Sequence, residues 1–134
     1  MSYIIILGGG IDQLPTVIES KKIGLKTLVF DKNKKCIAKD YSDYFYNVSA
    51  RNYKKIINTL LTSKINLKLI KGIMVAGTDI PQIASRISER LNIYYPINLN
   101  AAENSTNKVL MKNNLINNKI LTPKFKVIGK FNEF

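Results

Sequence analysis

Residues 3–10 read Tyr-Ile-Ile-Ile-Leu-Gly-Gly-Gly, a continuous apolar run that ends at three consecutive glycines. A run without polar alternation is typical of a strand buried on both faces of a parallel sheet. Residues 12–22 then place apolar side chains at helical spacing, with Pro15 suited to the first turn and Gly24 to the end of the helix. The strand, the glycine turn and the helix predict the first unit of a parallel α/β sheet.

Strands and helices alternate along the rest of the chain. Further strands are predicted at residues 27–30, 44–48, 72–76, 93–95 and 125–128. Helices are predicted at residues 52–63, 80–91 and 105–118, with single helical turns at 36–40 and 100–104. Thr78 or Asp79 is expected to cap the second of these helices, and Ser105 or Thr106 the third. The order predicts an α/β, Rossmann-like three-layer domain with a four- or five-stranded parallel sheet and right-handed crossovers.

The composition excludes several classes of protein. The chain has 134 residues, 46% hydrophobic and 22% charged, which fits one globular domain. No apolar run approaches the roughly 18 residues that span a bilayer, and no signal-peptide pattern precedes residue 3, so we expect a cytoplasmic protein without a membrane partner. The single cysteine, Cys36, fits a reducing compartment. The absence of histidine excludes His-based catalysis, and no metal site is predicted.

The basic charge has two interpretations. Lys and Arg number 21 against 9 Asp and Glu, a formal net charge of +12, and such a surface attracts anions. The lysines are spread over many predicted elements and show no clustering with aromatic residues, so we expect a solvated surface and no nucleic-acid partner. A non-catalytic basic interaction module stays an alternative. Exposed apolar residues near the end, Phe131 and Phe134, are compatible with a homodimer.

A substrate site is expected where the parallel strands end. Ligands of open α/β sheets bind beyond the carboxyl ends of the strands, and helix N-termini there favour anionic groups. Three loops fall at this edge of the predicted sheet. Their candidate residues are Gly8, Gly9, Gly10 and Gln13 after the first strand, Asp31 after the second, and Gly77, Thr78 and Asp79 after the fourth.

The glycine turn also invites a dinucleotide interpretation. Gly8 and Gly10 match the first two positions of G-x-G-x-x-G, and Asp31 fits the acidic position about 20 residues on. Gln13 replaces the third glycine and adds bulk where close approach to a pyrophosphate requires none. A dinucleotide- or sugar-nucleotide-binding domain stays an alternative, as does a turn whose glycines only allow a positive φ.

Three segments of the sequence together carry a family pattern. The first is residues 8–31, with G-x-G-x-x-Q, a helix, K-x-x-G and a strand ending in Asp. The second is GIMVAGTDIPQIASRISERLNI at residues 72–93, and the third is residues 105–125, with N-K-x-x-M-K and T-P-K-F. In order and spacing, over nearly the whole chain, these segments resemble the N-terminal, pre-ATP-grasp domain of ATP-grasp ligases, such as biotin carboxylase and the carbamoyl phosphate synthetase large subunit.

The resemblance implies an enzyme that uses ATP and Mg²⁺ to convert a carboxylate to an acyl phosphate, which an amine or another nucleophile then attacks. It implies that the candidate residues at the strand ends bind the carboxylate or amine substrate, and that Lys108 contacts ATP phosphate. No catalytic residue is expected in this chain.

The ATP-grasp core of the family is not among these residues. We therefore expect residues 1–121 to form the pre-ATP-grasp domain and residues 122–134 to begin a truncated or missing core, supplied in cis or as a separate subunit. The chain alone is expected to bind no ATP or Mg²⁺ and to be inactive.

Overall fold

The computed structural model describes residues 1–129, so residues 130–134 of the predicted core segment lie outside it. The elements follow the order β1 Ser2–Leu7, α1 Leu14–Lys22, β2 Leu25–Phe30, β3 Tyr44–Tyr46, α2 Tyr53–Thr62, β4 Ile70–Val75, α3 Pro81–Leu91, α4 Leu99–Thr106 and α5 Lys108–Asn117. Two short 3₁₀ turns lie at Ile37–Tyr41, before β3, and at Leu67–Leu69, before β4. None of the described helices combines the length and apolar character needed to cross a membrane.

The four strands form one parallel sheet in the order β3-β2-β1-β4. The register of β1 and β2 runs from Ser2 opposite Leu25 to Leu7 opposite Phe30, so the two strands end level with each other. The predicted fold class is thereby confirmed, with four strands. The carboxyl ends of all four strands point the same way, toward the loops that carry the predicted site.

Side chains of β1 alternate between two cores. Ile5 and Leu7 belong to the larger core, which packs β1 against α2 and α3 through residues such as Ile56 and Ile87. Ile6 points to the other face, into a smaller cluster with Val17 of α1, Val29 and Ala38. Because β1 is covered on both faces, its sequence is a continuous apolar run. Helices on both faces give the predicted three layers.

An anchored carboxylate fixes the start of β3. Asp43 accepts hydrogen bonds from Lys26 Nζ at 2.6 Å, Thr27 N at 3.0 Å and Thr27 Oγ1 at 3.2 Å, and its side chain is only 9% exposed. Burial raises the pKa of Asp43, but the hydrogen bonds from Lys26 and Thr27 outweigh it, so the net pKa lies below its usual value. The carboxylate thus ties the loop before β3 to the neighbouring strand.

Two of the predicted strands are wrong. Residues 93–95 are irregular, because Asn92 takes a left-handed conformation (φ 52°) and Ile93 N donates back to Ser88 O. Only Tyr94 O then reaches β4, where it accepts from Ile73 N at 3.3 Å. Residues 125–128 also form no strand, because no described strand pairs with them.

The predicted helix caps are wrong as well. Ile80, and neither Thr78 nor Asp79, occupies the N-cap position of α3, and no side chain caps that helix. Ser105 and Thr106 lie inside α4, and Asn107 caps α5 by accepting from the amides of Val109 and Leu110. The helix predicted to reach residue 118 ends at Asn117.

Candidate functional site

A cleft of about 310 Å³ opens at the carboxyl ends of the strands. Its walls come from the β1–α1, β2, β3–α2 and β4–α3 loops. The lining residues are Gly8, Gly10, Asp12, Gln13, Asp31, Lys32, Ser49, Ala50, Arg51, Gly77, Thr78 and Ile80. This is the location expected for a ligand in an open parallel α/β sheet.

The turn after β1 depends on Gly8. Its φ of +103° lies in a region that L side chains rarely adopt, and its N–H donates to Phe30 O at 2.9 Å, which extends the pairing of β1 with β2 by one residue. Glycine at this position lets the chain leave the sheet and turn toward α1.

Gln13 fills the inside of the turn. Its side chain is 6% exposed; Oε1 accepts from Gly10 N at 2.8 Å, and Nε2 donates to Ala76 O at the end of β4. A Cβ at Gly8 or Gly10 would lie 3.1 Å from Gln13 Oε1. The amide therefore clamps the turn to β4, and the glycines make room for it.

Gly9 faces away from the cleft, toward the loop after β2. A Cβ there would lie 2.6 Å from Cys36 Sγ and 3.3 Å from Asp31 Cβ. Gly9 O accepts from Ala38 N at 3.0 Å, so the two loops are joined by the backbone as well. Burial raises the pKa of the Cys36 thiol.

Asp31 holds the loops together. Its Oδ2 accepts from Gly9 N at 2.7 Å, and its Oδ1 accepts from Asn33 N at 2.7 Å. Asn47 Nδ2 donates to Lys32 O at 2.8 Å and to Asp31 O at 3.2 Å, which joins the loop after β2 to the loop after β3. One edge of the half-buried carboxylate lines the cleft, while both oxygens already accept a backbone hydrogen bond.

The structure brings together most of the predicted site residues. Those in one cleft are Gly8, Gly10, Gln13, Asp31, Gly77 and Thr78. Gly9 lies behind the turn, and Asp79 lines a neighbouring cleft. Lys108 is exposed as the first residue of α5 and lines neither cleft.

Several cleft residues were missed from the sequence. They are Lys32, Ser49, Ala50, Arg51 and Ile80. The signal for Arg51 was available: it is one of only three arginines among 21 basic residues, and it follows the third predicted strand. The loop after that strand lies at the same edge of the sheet as the other three loops, so its residues were equally good candidates for the site.

The neighbouring cleft measures about 610 Å³ and lies between the start of α3, α4 and the start of α5. Its lining residues are Arg51, Asp79, Gln82, Glu103, Thr106, Asn107 and Leu110. Arg51 therefore borders both clefts. Within residues 1–129, no three His, Cys, Asp or Glu side chains group as a metal site requires.

Comparisons with known proteins identify the fold. No protein-family profile and no curated protein sequence matches the chain. Phosphoribosylglycinamide synthetase from Anaerococcus prevotii is similar in structure, with a TM-score of 0.78 and 20% identity over 98% of this chain. N5-carboxyaminoimidazole ribonucleotide synthetase from Thermotoga maritima has a TM-score of 0.68 and 20% identity over 97% of this chain. The chain shares its fold with part of each of these two synthetases.

The match extends to a biotin carboxylase domain. That of the Hydrogenobacter thermophilus 2-oxoglutarate carboxylase, solved with MgADP and bicarbonate, has a TM-score of 0.68 and 13% identity over 90% of this chain. The chain spans about a third of the length of the two synthetases, 33% and 34%. At these identities the likeness establishes the fold, and the resemblance read from residues 8–31, 72–93 and 105–125 is confirmed at that level.

Proposed function

We propose that the chain is the substrate-side domain of an ATP-dependent carboxylate–amine ligase that acts through an acyl phosphate. The observation that carries this proposal is the cleft at the carboxyl ends of β1, β2 and β4, in a fold that the chain shares with ATP-grasp synthetases. In this proposal the cleft binds the small carboxylate or amine substrate. The residues that contact it include Gly8, Gly10, Thr78 and the backbone of Gly77.

The cleft has the properties that a small polar metabolite requires. Its volume of about 310 Å³ is at the lower end of the range for ligand pockets, which suits a single sugar or amino acid rather than a dinucleotide. Its lining carries both signs of charge, from Lys32 and Arg51 and from Asp12 and Asp31. A substrate with an anionic group and an amine or hydroxyl groups matches that pattern.

ATP and Mg²⁺ belong, in this proposal, to an ATP-grasp core outside residues 1–121. Residues 122–134 lead into that core, which acts in cis or as a separate subunit. Lys108, at the exposed start of α5, is the residue proposed to reach ATP phosphate in the assembled enzyme. In this proposal the core encloses the nucleotide and carries out phosphoryl transfer, and residues 1–121 supply the substrate cleft.

Two observations disfavour the dinucleotide alternative. Gln13 occupies the inside of the turn, where the dinucleotide fingerprint needs open backbone for a pyrophosphate. Asp31, which would bind a ribose hydroxyl in that fold, already accepts from two backbone amides. Both features reduce the room and the hydrogen-bonding capacity available to a dinucleotide.

Amide chemical shifts of the ¹⁵N-labelled chain test the proposal. Ribose 5-phosphate is the probe, because the names of the two synthetases contain a phosphoribosyl or ribonucleotide group. We expect saturable shifts at the amides of residues 8–13, 32, 49–51 and 77–78, and no saturable shifts with Mg-ATP. Saturable binding of Mg-ATP or NADH in the cleft would contradict the proposal, as would no response of these amides to ribose 5-phosphate or to its analogues D-ribonate and D-ribose.

A further inference from the structure

Arg51, unlike Arg86 and Arg90, lines both clefts at the strand ends. Arg86 donates to Glu103 Oε1 at 2.5 Å, and its guanidinium lies 5.5 Å from the centre of the Tyr53 ring. Arg51 borders both clefts, and no carboxylate among residues 1–129 lies within ion-pair distance of it. Within residues 1–129 its guanidinium therefore has no carboxylate partner, and it lines both clefts.

The backbone of Arg51 is nevertheless fixed. Val48, three residues earlier, is 7% exposed, and Arg51 N donates to Ser49 Oγ at 3.3 Å. The next residue, Asn52, caps α2 by accepting from Lys55 N at 3.0 Å. The loop is thus held on both sides of Arg51, and the position from which its side chain reaches the two clefts is set before any ligand arrives.

Some of the carboxylates near Arg51 are already bound by other groups. Four of them line the two clefts. Asp31 accepts from two backbone amides, and Glu103 pairs with Arg86. Asp12 and Asp79 lie on the β1–α1 and β4–α3 loops, and neither forms an ion pair with Arg51. Within residues 1–129, no carboxylate therefore neutralises Arg51.

We infer that Arg51 is the oxyanion anchor of the substrate site, and that a carboxylate or phosphate on it joins the two clefts into one continuous binding groove. A guanidinium presents paired N–H donors that match the two oxygens of a carboxylate or phosphate, which a lysine ammonium does not. The rest of the substrate then extends from the anion into the cleft at the glycine turn. This inference rests on the proposed function, because it concerns the same site.

Three sugars separate the two possible sources of the anion. Ribose 5-phosphate carries a phosphate, D-ribonate carries a carboxylate, and D-ribose carries neither. Each is titrated into the wild-type chain, Arg51→Gln and Arg51→Lys, with affinity taken from the amide shifts of residues 8–13. Arg90→Gln is the matched control, because Arg90 is an exposed arginine on α3 that lines neither cleft.

We expect the Arg51→Gln substitution to weaken binding of the anionic sugar by about tenfold or more and to leave the affinity for D-ribose unchanged. Arg51→Lys should recover only part of the loss, because the charge is kept and the paired geometry is not. The sugar that loses affinity identifies the anion as phosphate or carboxylate. Arg90→Gln should bind all three sugars as the wild type does.

The outcomes distinguish this inference from the proposed function. If the cleft amides respond to ribose 5-phosphate or D-ribonate equally in the wild type and Arg51→Gln, the inference is overturned and the substrate cleft stands. If none of the three sugars shifts the cleft amides of the wild type, both fail. Equal losses in Arg51→Gln and Arg90→Gln would show a general effect of surface charge and would also overturn the inference.

Discussion

Substituting Gly9 by alanine tests directly what the glycine turn is for. A Cβ at Gly9 would lie 2.6 Å from Cys36 Sγ, closer than real Cβ contacts allow, and 3.3 Å from Asp31 Cβ. Cys36 is 7% exposed, and its loop is bound to Gly9 O through Ala38 N, so the thiol has little freedom to retreat. We therefore expect overpacking rather than a simple gain of contact.

The magnitude follows from two opposing effects. Overpacking a close-packed site costs about 1–3 kcal/mol. The backbone of Gly9 is outside the left-handed region, so alanine also reduces the entropy of the unfolded chain and offsets about 0.4–1 kcal/mol of that cost. The net expectation for Gly9→Ala is a loss of about 1–2 kcal/mol in the free energy of unfolding.

Cys36→Ala should rescue this loss. Without Sγ, the nearest remaining atom of residue 36 is Cβ at 3.4 Å, an ordinary van der Waals contact. Asp31 Cβ, at 3.3 Å, is then the tightest neighbour, so in the Cys36→Ala background Gly9→Ala should be close to neutral. The expected coupling energy between the two positions is about 1–2 kcal/mol. The wild type, the two single variants and the double variant are unfolded in urea under reducing conditions. Circular dichroism monitors unfolding, and the free energies are compared with one m value for all four chains.

Gly24→Ala is the control for this cycle. Gly24 has a φ of +83° and no atom within 4 Å of an added Cβ, so alanine there is strained by its backbone alone. Its cost, about 1 kcal/mol, should be the same with and without Cys36→Ala. If Gly9→Ala also cost the same in both backgrounds, the contact between Gly9 and Cys36 would not be what excludes a side chain, and this explanation of the turn would be refuted.

Three further predictions concern titratable or buried polar groups. Gln13→Glu should lower the free energy of unfolding by about 2 kcal/mol or more at pH 7, because a carboxylate cannot donate to Ala76 O. This loss should shrink toward pH 4, as the new carboxyl group is protonated. A loss that urea unfolding shows to be independent of pH would contradict this explanation. Asp43→Asn should cost about 1–3 kcal/mol at pH 7. Because the pKa of Asp43 is lowered by folding, its contribution is complete at pH 5 and above and is lost as the pH falls below about 4, so the wild type and Asp43→Asn should converge in acid thermal melts. Iodoacetamide should alkylate Cys36 at least about tenfold more slowly at pH 8 in the folded chain than in urea, and equal rates would show that the thiol is accessible.

The sheet could be predicted from the sequence because its information is local. The apolar run that became β1 is buried on both faces, and the helices that cover it show their apolar residues at helical spacing. Residues 93–95 show the limit of that reasoning. Their apolar and aromatic character fits a strand, but the left-handed Asn92 and the return of Ile93 N to Ser88 O leave one hydrogen bond to β4.

The candidate site could be predicted only in outline. Topology placed the loops after β1, β2 and β4 at one edge, which was enough to group Gly8, Asp31 and Thr78. The contact between Gly9 and Cys36 spans 27 residues and depends on how two loops pack, and no local pattern encodes it. Arg51 was missed because the loop after β3 contains no glycine and no carboxylate, the residue types that marked the other three loops as candidates.

The glycines of the turn create space for the chain's own side chains, which changes how a ligand can be recognised there. In a phosphate-binding turn, open backbone N–H groups supply the contacts. Here Gly9 N already binds Asp31, and Gly10 N already binds Gln13. With these two amides already bound, recognition in the cleft depends mainly on side chains and on the β4–α3 loop. Arg51, whose backbone is held and which has no carboxylate partner within residues 1–129, is the cation that lines both clefts.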